Sequence, residues 1–256
     1  MTWLKRFFGD LFGAYRDGVR VALALPWLFA LIAGWEFAQH VLEVRIGFFD
    51  SREAAKAVSL DGSRMALGWV KMLLVYVGGF FAIRHLVRRG GDGPVDAVGA
   101  AAVRYAPYVL YSLALFALIV FAVRIVPAAR VDLFRGIVGL TQLLIEPWLM
   151  LWVVSSVTDG AISGPIVSAR RTGLLYLYAL PLFFLARLPI GIAHNLLNRL
   201  AIGRPHSLVW TMLAIDALVV GLLVAIIPAI SVRVSRLNGE RRATPGARAT
   251  KVAAAA

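Results

Sequence analysis

The chain has 256 residues, of which 60% are hydrophobic and 16% charged, with a formal net charge of +13 and no cysteine. Soluble domains carry about 25% charged residues, so this composition excludes an ordinary water-soluble fold, and the missing thiols exclude disulfides, thiolate metal sites and cysteine nucleophiles. The positive balance reads as basic flanks of apolar spans facing anionic lipid; no soluble module presents a basic patch, so nucleic acid is not an expected partner.

Residues 2–18 set Leu4, Phe7, Phe8, Leu11, Phe12 and Tyr15 at three- and four-residue spacing, with Lys5, Arg6, Asp10, Arg16 and Asp17 mostly off that stripe. This pattern predicts an amphipathic helix lying in the inner membrane interface. Six apolar runs follow, at approximately 19–38, 65–86, 105–126, 136–157, 173–193 and 208–232. Each holds about 20 residues, enough for a helix to cross roughly 30 Å of hydrocarbon. None shows the period-two alternation of a barrel strand, so the expected fold is all-α, with six transmembrane helices.

Between the first two runs, FFDSREAAKAV predicts a short helix capped by Asp50 or Ser51. RRGGDGP is a turn, and 94–104 is a small-residue segment leading into the third run. DGAISGPIVSARRT at 159–172 is similar: a Gly-Pro turn, then a short basic helix. Residues 1–236 read as one membrane domain, and 237–256 as a disordered basic tail on the cytoplasmic side.

Each outward-going span follows a short interfacial segment (2–18, 94–104, 161–172), and ALPWLF at 24–29 resembles ALPLFF at 179–184. This suggests three units of interfacial helix, span and span. Pro26, Pro147, Pro181 and Pro228 are predicted helix kinks, since proline cannot donate the helical hydrogen bond. Lys and Arg gather on one side of the six spans, among them Arg84, Arg88, Arg89, Arg170, Arg171, Arg233 and Arg236. By the positive-inside rule both termini are then cytoplasmic, in a bacterial inner membrane.

The stretch EPWLMLWVVSSVTDGAISGPIVSARRTGLLYLYALPLFFL, residues 146–185, resembles the recurring pattern of bacterial YciC-like proteins and of the membrane domain attached to some glycerophosphoryl diester phosphodiesterases. The resemblance implies the six-span plan and an envelope or lipid-related role. It carries no catalytic residues over, and the soluble phosphodiesterase domain is missing from this chain.

Five ionisable residues within the apolar runs stand out: Glu36, Lys71, Glu146, Arg187 and Asp216. Each costs about 2.5–3.5 kcal/mol at a helix centre on insertion scales, so each is expected to face protein or water. All five fall at or outside the midplane, as an outward-opening polar cavity or as interhelical pairs. Glu36 and His40 share a helix face, and with His194 and His206 they form a candidate zinc set. No HExxH-type spacing supports it, so the histidines read as interfacial hydrogen-bonding residues and no metal is expected. Ser155, Ser156 and Thr158 are expected to bond back to their own helix, and Ala33, Gly34, Gly78, Gly79 and Ser112 to mark close helix contacts. No nucleophile elbow or phosphate-cradling loop occurs, so the chain is not expected to be an enzyme or to hold a cofactor. The expected partners are the bilayer, its anionic phospholipid, and a second copy or another membrane protein. The expected function is assistance to envelope or lipid homeostasis, with an ion-coupled carrier using the intramembrane carboxylates as the alternative.

Overall fold

A computed structural model describes residues 3–242, and every regular element among them is helical. The helices are α1 (Trp3–Ala24), α2 (Pro26–Arg45), α3 (Arg52–Ala57), α4 (Gly62–Gly90), α5 (Val98–Val120), α6 (Ala122–Ile125), α7 (Val131–Val157), α8 (Pro165–Thr172), α9 (Tyr176–Ala201) and α10 (His206–Arg242). Single 3-10 turns precede α7 and α9. Five stretches are long and apolar enough to span a bilayer: α4, α5, α7 with its turn, α8 through α9, and α10. The bent pair α1 and α2 makes a sixth if it counts as one span.

The exposed and buried faces agree with hydrocarbon surroundings. Leu73, Val77 and Phe81 lie exposed at four-residue spacing on α4, and Leu133, Ile137 and Leu140 at four- and three-residue spacing on α7. Glu36, His40, Asp216 and Ser168 are buried. Apolar residues outward and polar residues inward suit lipid, where each backbone and polar group needs an internal partner.

The first boundary differs from the expected one. The first helix continues to Ala24, and the break falls at Leu25, beyond the end expected at residue 18. Proline disfavours helical backbone at the preceding residue, and Leu25 takes φ −122° and ψ 52° before Pro26. The chain turns by 97° there. Helices α7 and α10 carry Pro147 and Pro228 inside them without a break, and α9 likewise runs through Pro181. Ser51 caps α3, its Oγ accepting from Ala54 N at 3.0 Å, and Asp61 Oδ1 accepts from Arg64 N at 3.0 Å at the start of α4.

By its internal contacts the chain divides into two units, Met1–His85 with Phe183–Ala229, and Leu86–Leu182 with Ile230–Ala256. In the first, α1 buries Phe7, Ala14, Gly18 and Val21. A methyl on Gly18 would stand 2.7 Å from Ile226 Cγ1 and 3.3 Å from the Ile226 backbone, so a side chain is excluded where α1 meets α10. Gly78 similarly faces Ile32 and Val224, while Gly34 faces open space and is not a packing point. Tyr15 donates to Ala186 O at 2.8 Å. The loops after α2 and α9 meet where Gly203 N donates to Phe49 O at 2.8 Å, over a core of Phe49, Ala201, Val209 and Leu213.

In the second unit, α5 and α8 pack against α7. Ser168, wholly buried, donates to Trp148 O at 2.5 Å and accepts from Trp152 N at 3.0 Å, entering the α7 hydrogen-bond ladder beside Pro147. Tyr176 stacks on Trp148 and donates to Leu144 O. Ser156 and Thr158 bond back to Val153 O and Val154 O. Arg104 donates to Ser156 O and Thr158 O, satisfying carbonyls at the end of α7. The segment 94–104 is no separate helix: from Val98 it forms the opening turns of α5.

Residues 237–242, expected in the disordered tail, continue α10. Arg236 holds that end, donating to Asp92 Oδ2 at 2.6 Å and to Leu86 O at 3.0 Å, and Arg242 reaches Arg171 O. A local reading of apolar periodicity has no access to these contacts from distant positions. The rest of the expected tail, 243–256, lies outside the described residues.

Candidate functional site

Four helices of the first unit converge on a buried polar cluster at one end, beside the connections 46–61 and 202–205. Helix α2 supplies Glu36, Gln39, His40 and Glu43, whose three- and four-residue spacing puts all of them on one face. Helix α4 supplies Arg64 and Lys71, α9 supplies His194 and Asn198, and α10 supplies Asp216.

His40 lies at the centre and is 1% exposed. Its Nδ1 is 2.9 Å from Glu43 Oε2, and its Nε2 is 3.0 Å from Asp216 Oδ2 and 3.6 Å from Glu36 Oε1. Lys71 Nζ stands 2.9 Å from Glu36 Oε2. Glu43 Oε1 accepts from Arg64 Nε at 2.8 Å and from Gln39 Nε2 at 3.0 Å. Asp216 is surrounded by nitrogen: His194 Nδ1 lies 2.8 Å from Oδ1, and Asn198 Nδ2 donates to Oδ2 at 2.8 Å. The Phe49 ring meets His40 edge-on, with centroids 6.3 Å apart. Arg64 lies over the Phe48 ring.

Three carboxylates, Glu36, Glu43 and Asp216, thus face two permanent cations, Lys71 and Arg64. Ionised throughout, the set is one positive charge short, and only the histidines or an added cation can supply it. A buried charge left uncompensated costs several kcal/mol, which makes the deficit chemically meaningful. Gln39 Oε1 is also a buried acceptor without a hydrogen-bond partner among the described residues. Such a group calls for a water or an ion.

Of the five ionisable residues expected to matter, three meet here: Glu36, Lys71 and Asp216. Arg187, on α9, instead places its guanidinium 5.8 Å from the centre of the Phe183 ring. Glu146 lies in the second unit, where Tyr108 donates to it at 3.1 Å and Gln142 approaches at 3.5 Å. His194 joins through Asp216, whereas His206 is exposed at the start of α10. Gln39, Glu43, Arg64 and Asn198 were not singled out by the sequence. The spacing of Gln39 and Glu43 with Glu36 was the available signal, but both lie past the apolar window.

No protein family, curated protein or solved structure matches this chain.

Proposed function

We propose that this is a non-enzymatic carrier of the bacterial inner membrane, with both termini cytoplasmic, that binds a coupling cation at the cluster around His40 and Asp216. The supporting observation is the charge deficit: Glu36, Glu43 and Asp216 against Lys71 and Arg64, where α2 meets α4 and α10, two helices long and apolar enough to span a bilayer. In such surroundings the missing charge is taken up as a proton or metal ion, and its release unbalances the site. That imbalance is the energetic handle a coupled carrier needs. His194, with a side chain 32% exposed, marks the edge by which the cation enters.

A jump in pH or divalent-cation concentration on proteoliposomes adsorbed to a solid-supported membrane tests this reading. The wild type gives a transient charge displacement, and Asp216→Asn, reconstituted in equal amount, gives none. Equal displacement in both, or none in the wild type, rejects the carrier.

A second reading, assistance to lipid or envelope homeostasis, is favoured by α1. Trp3, Leu4, Phe8 and Phe12 are exposed on it, with Lys5, Arg6 and Arg16 alongside, a composition suited to an interface rich in anionic phospholipid. Deletion of the protein without any change in membrane lipid composition would reject that role.

A further inference from the structure

We infer that the cluster is a binding site for a first-row divalent transition ion of the zinc type, with Glu36 Oε1, His40 Nε2 and Asp216 Oδ2 as its protein ligands. The inference rests on the cation-binding reading above and names the cation.

The ligand geometry carries it. The three residues each offer one ligand atom, and these atoms lie within 4.8 Å of one another. Two ligands of a tetrahedral zinc, each about 2.0–2.1 Å from the metal, stand about 3.3 Å apart. The His40–Glu36 and His40–Asp216 separations, 3.6 and 3.0 Å, bracket that value. The third pair, Glu36 and Asp216, lies within 4.8 Å, so the two carboxylates close on the ion by side-chain adjustment.

The atoms behind the ligands are equally specific. A carboxylate only accepts hydrogen bonds, so Glu43 beside Nδ1 fixes the proton of a neutral His40 on that nitrogen. The Nε2 lone pair then points at two carboxylate oxygens, an arrangement repulsive unless a proton or a metal ion lies between them. The carboxylate–histidine–metal relay supplies that positive centre. Each ligating carboxylate is also oriented by a neighbour, Glu36 by Lys71 and Asp216 by His194 and Asn198. The two ligating carboxylates match the charge of a divalent ion; with Glu43, Lys71 and Arg64 the whole set then carries one excess positive charge, which an anionic fourth ligand such as hydroxide would offset.

The donor set also selects the ion. An imidazole nitrogen with two carboxylate oxygens suits zinc, manganese or ferrous iron. Calcium prefers six to eight oxygens, and magnesium keeps an octahedral shell of oxygen and water. Copper(I) selects thiolate or thioether, and none of the three ligands carries sulfur. Three protein ligands leave a fourth position open, as in sites where the ion exchanges or acts.

The test uses purified full-length protein, stripped with chelator and dialysed against zinc, with metal counted by mass spectrometry. About one zinc per chain is expected, and cobalt in its place gives the intense visible absorption of four-coordinate geometry. Zinc affinity falls at least tenfold in Asp216→Asn and His40→Gln and 10–100-fold in Glu43→Gln, which keeps its size and loses only the charge orienting His40. Glu146→Gln, in the other unit, leaves it unchanged. No zinc on the wild type, affinity unmoved by Glu43→Gln, or equal competition by magnesium or calcium overturns the assignment. Charge displacement sensitive to Asp216→Asn without zinc binding overturns the metal alone and leaves the carrier. Zinc bound by a protein that shows no charge displacement overturns the carrier and leaves the site.

Discussion

His40 Nε2 stands 3.0 Å from Asp216 Oδ2, across 176 positions of sequence. That contact joins α2 to α10 through two fully buried polar groups. Truncation of Asp216 to Ala strips His194 and Asn198 of their common acceptor and removes the carboxylate beside His40 Nε2. The loss leaves the buried His40 ring and two half-buried side chains without their shared carboxylate, so a cost of about 3 kcal/mol is expected. Thermal unfolding in detergent, followed by intrinsic tryptophan fluorescence, should show a large drop in midpoint for Asp216→Ala and a smaller one for Asp216→Asn.

Lys71 and Glu36 are expected to behave as a coupled pair. Lys71→Met leaves the Glu36 carboxylate, 1% exposed, with only His40 to offset it. Breaking a buried pair from one side typically costs about 3–5 kcal/mol, while replacing both partners is close to neutral. The double variant Lys71→Met with Glu36→Gln should therefore recover most of the loss in the same unfolding measurement. Strict additivity of the two single effects would show that the pair is not coupled.

Three of the cluster residues were legible in the sequence for one reason: Glu36, Lys71 and Asp216 are ionisable groups inside apolar runs. Height along a helix axis follows from sequence position, whereas direction around the helix does not, and Arg187 and Glu146 face other surroundings. Glu43 and Arg64 sit at polar helix ends and look like ordinary flanking charges until α2 and α4 are brought side by side. The all-helical class follows from run length together with the absence of period-two alternation. Residues 19–24 are apolar enough for either helix, so the sequence does not distinguish a break at residue 18 from the one at Leu25.

Two glycines should respond in opposite directions. Gly18→Ala puts a methyl 2.7 Å from Ile226 Cγ1, against a helix backbone that cannot easily retreat. Overpacking of this kind costs about 1–3 kcal/mol. Gly34 meets nothing within 4 Å, so Gly34→Ala should be neutral or stabilising by up to about 1 kcal/mol through reduced backbone entropy. Comparison of the two unfolding midpoints with wild type checks both signs, and destabilisation by Gly34→Ala equal to that by Gly18→Ala would refute the packing argument.

Ser168 is expected to hold α8 on α7. With Ala at that position, Trp152 N and Trp148 O lose the hydroxyl between them, for a cost of about 1–3 kcal/mol. Limited proteolysis should then cut sooner in the connection 158–164 of Ser168→Ala. An unchanged cleavage rate there would mean that the helix ladder closes without the serine.

The most direct test of cation uptake by the buried carboxylates is infrared difference spectroscopy of the reconstituted protein, perfused alternately with cation-free and zinc-containing buffer. The account predicts reversible shifts of carboxylate stretching bands in the wild type, absent from Asp216→Asn and retained in Glu146→Gln. A wild-type spectrum without carboxylate changes, or changes that persist in Asp216→Asn, would contradict it.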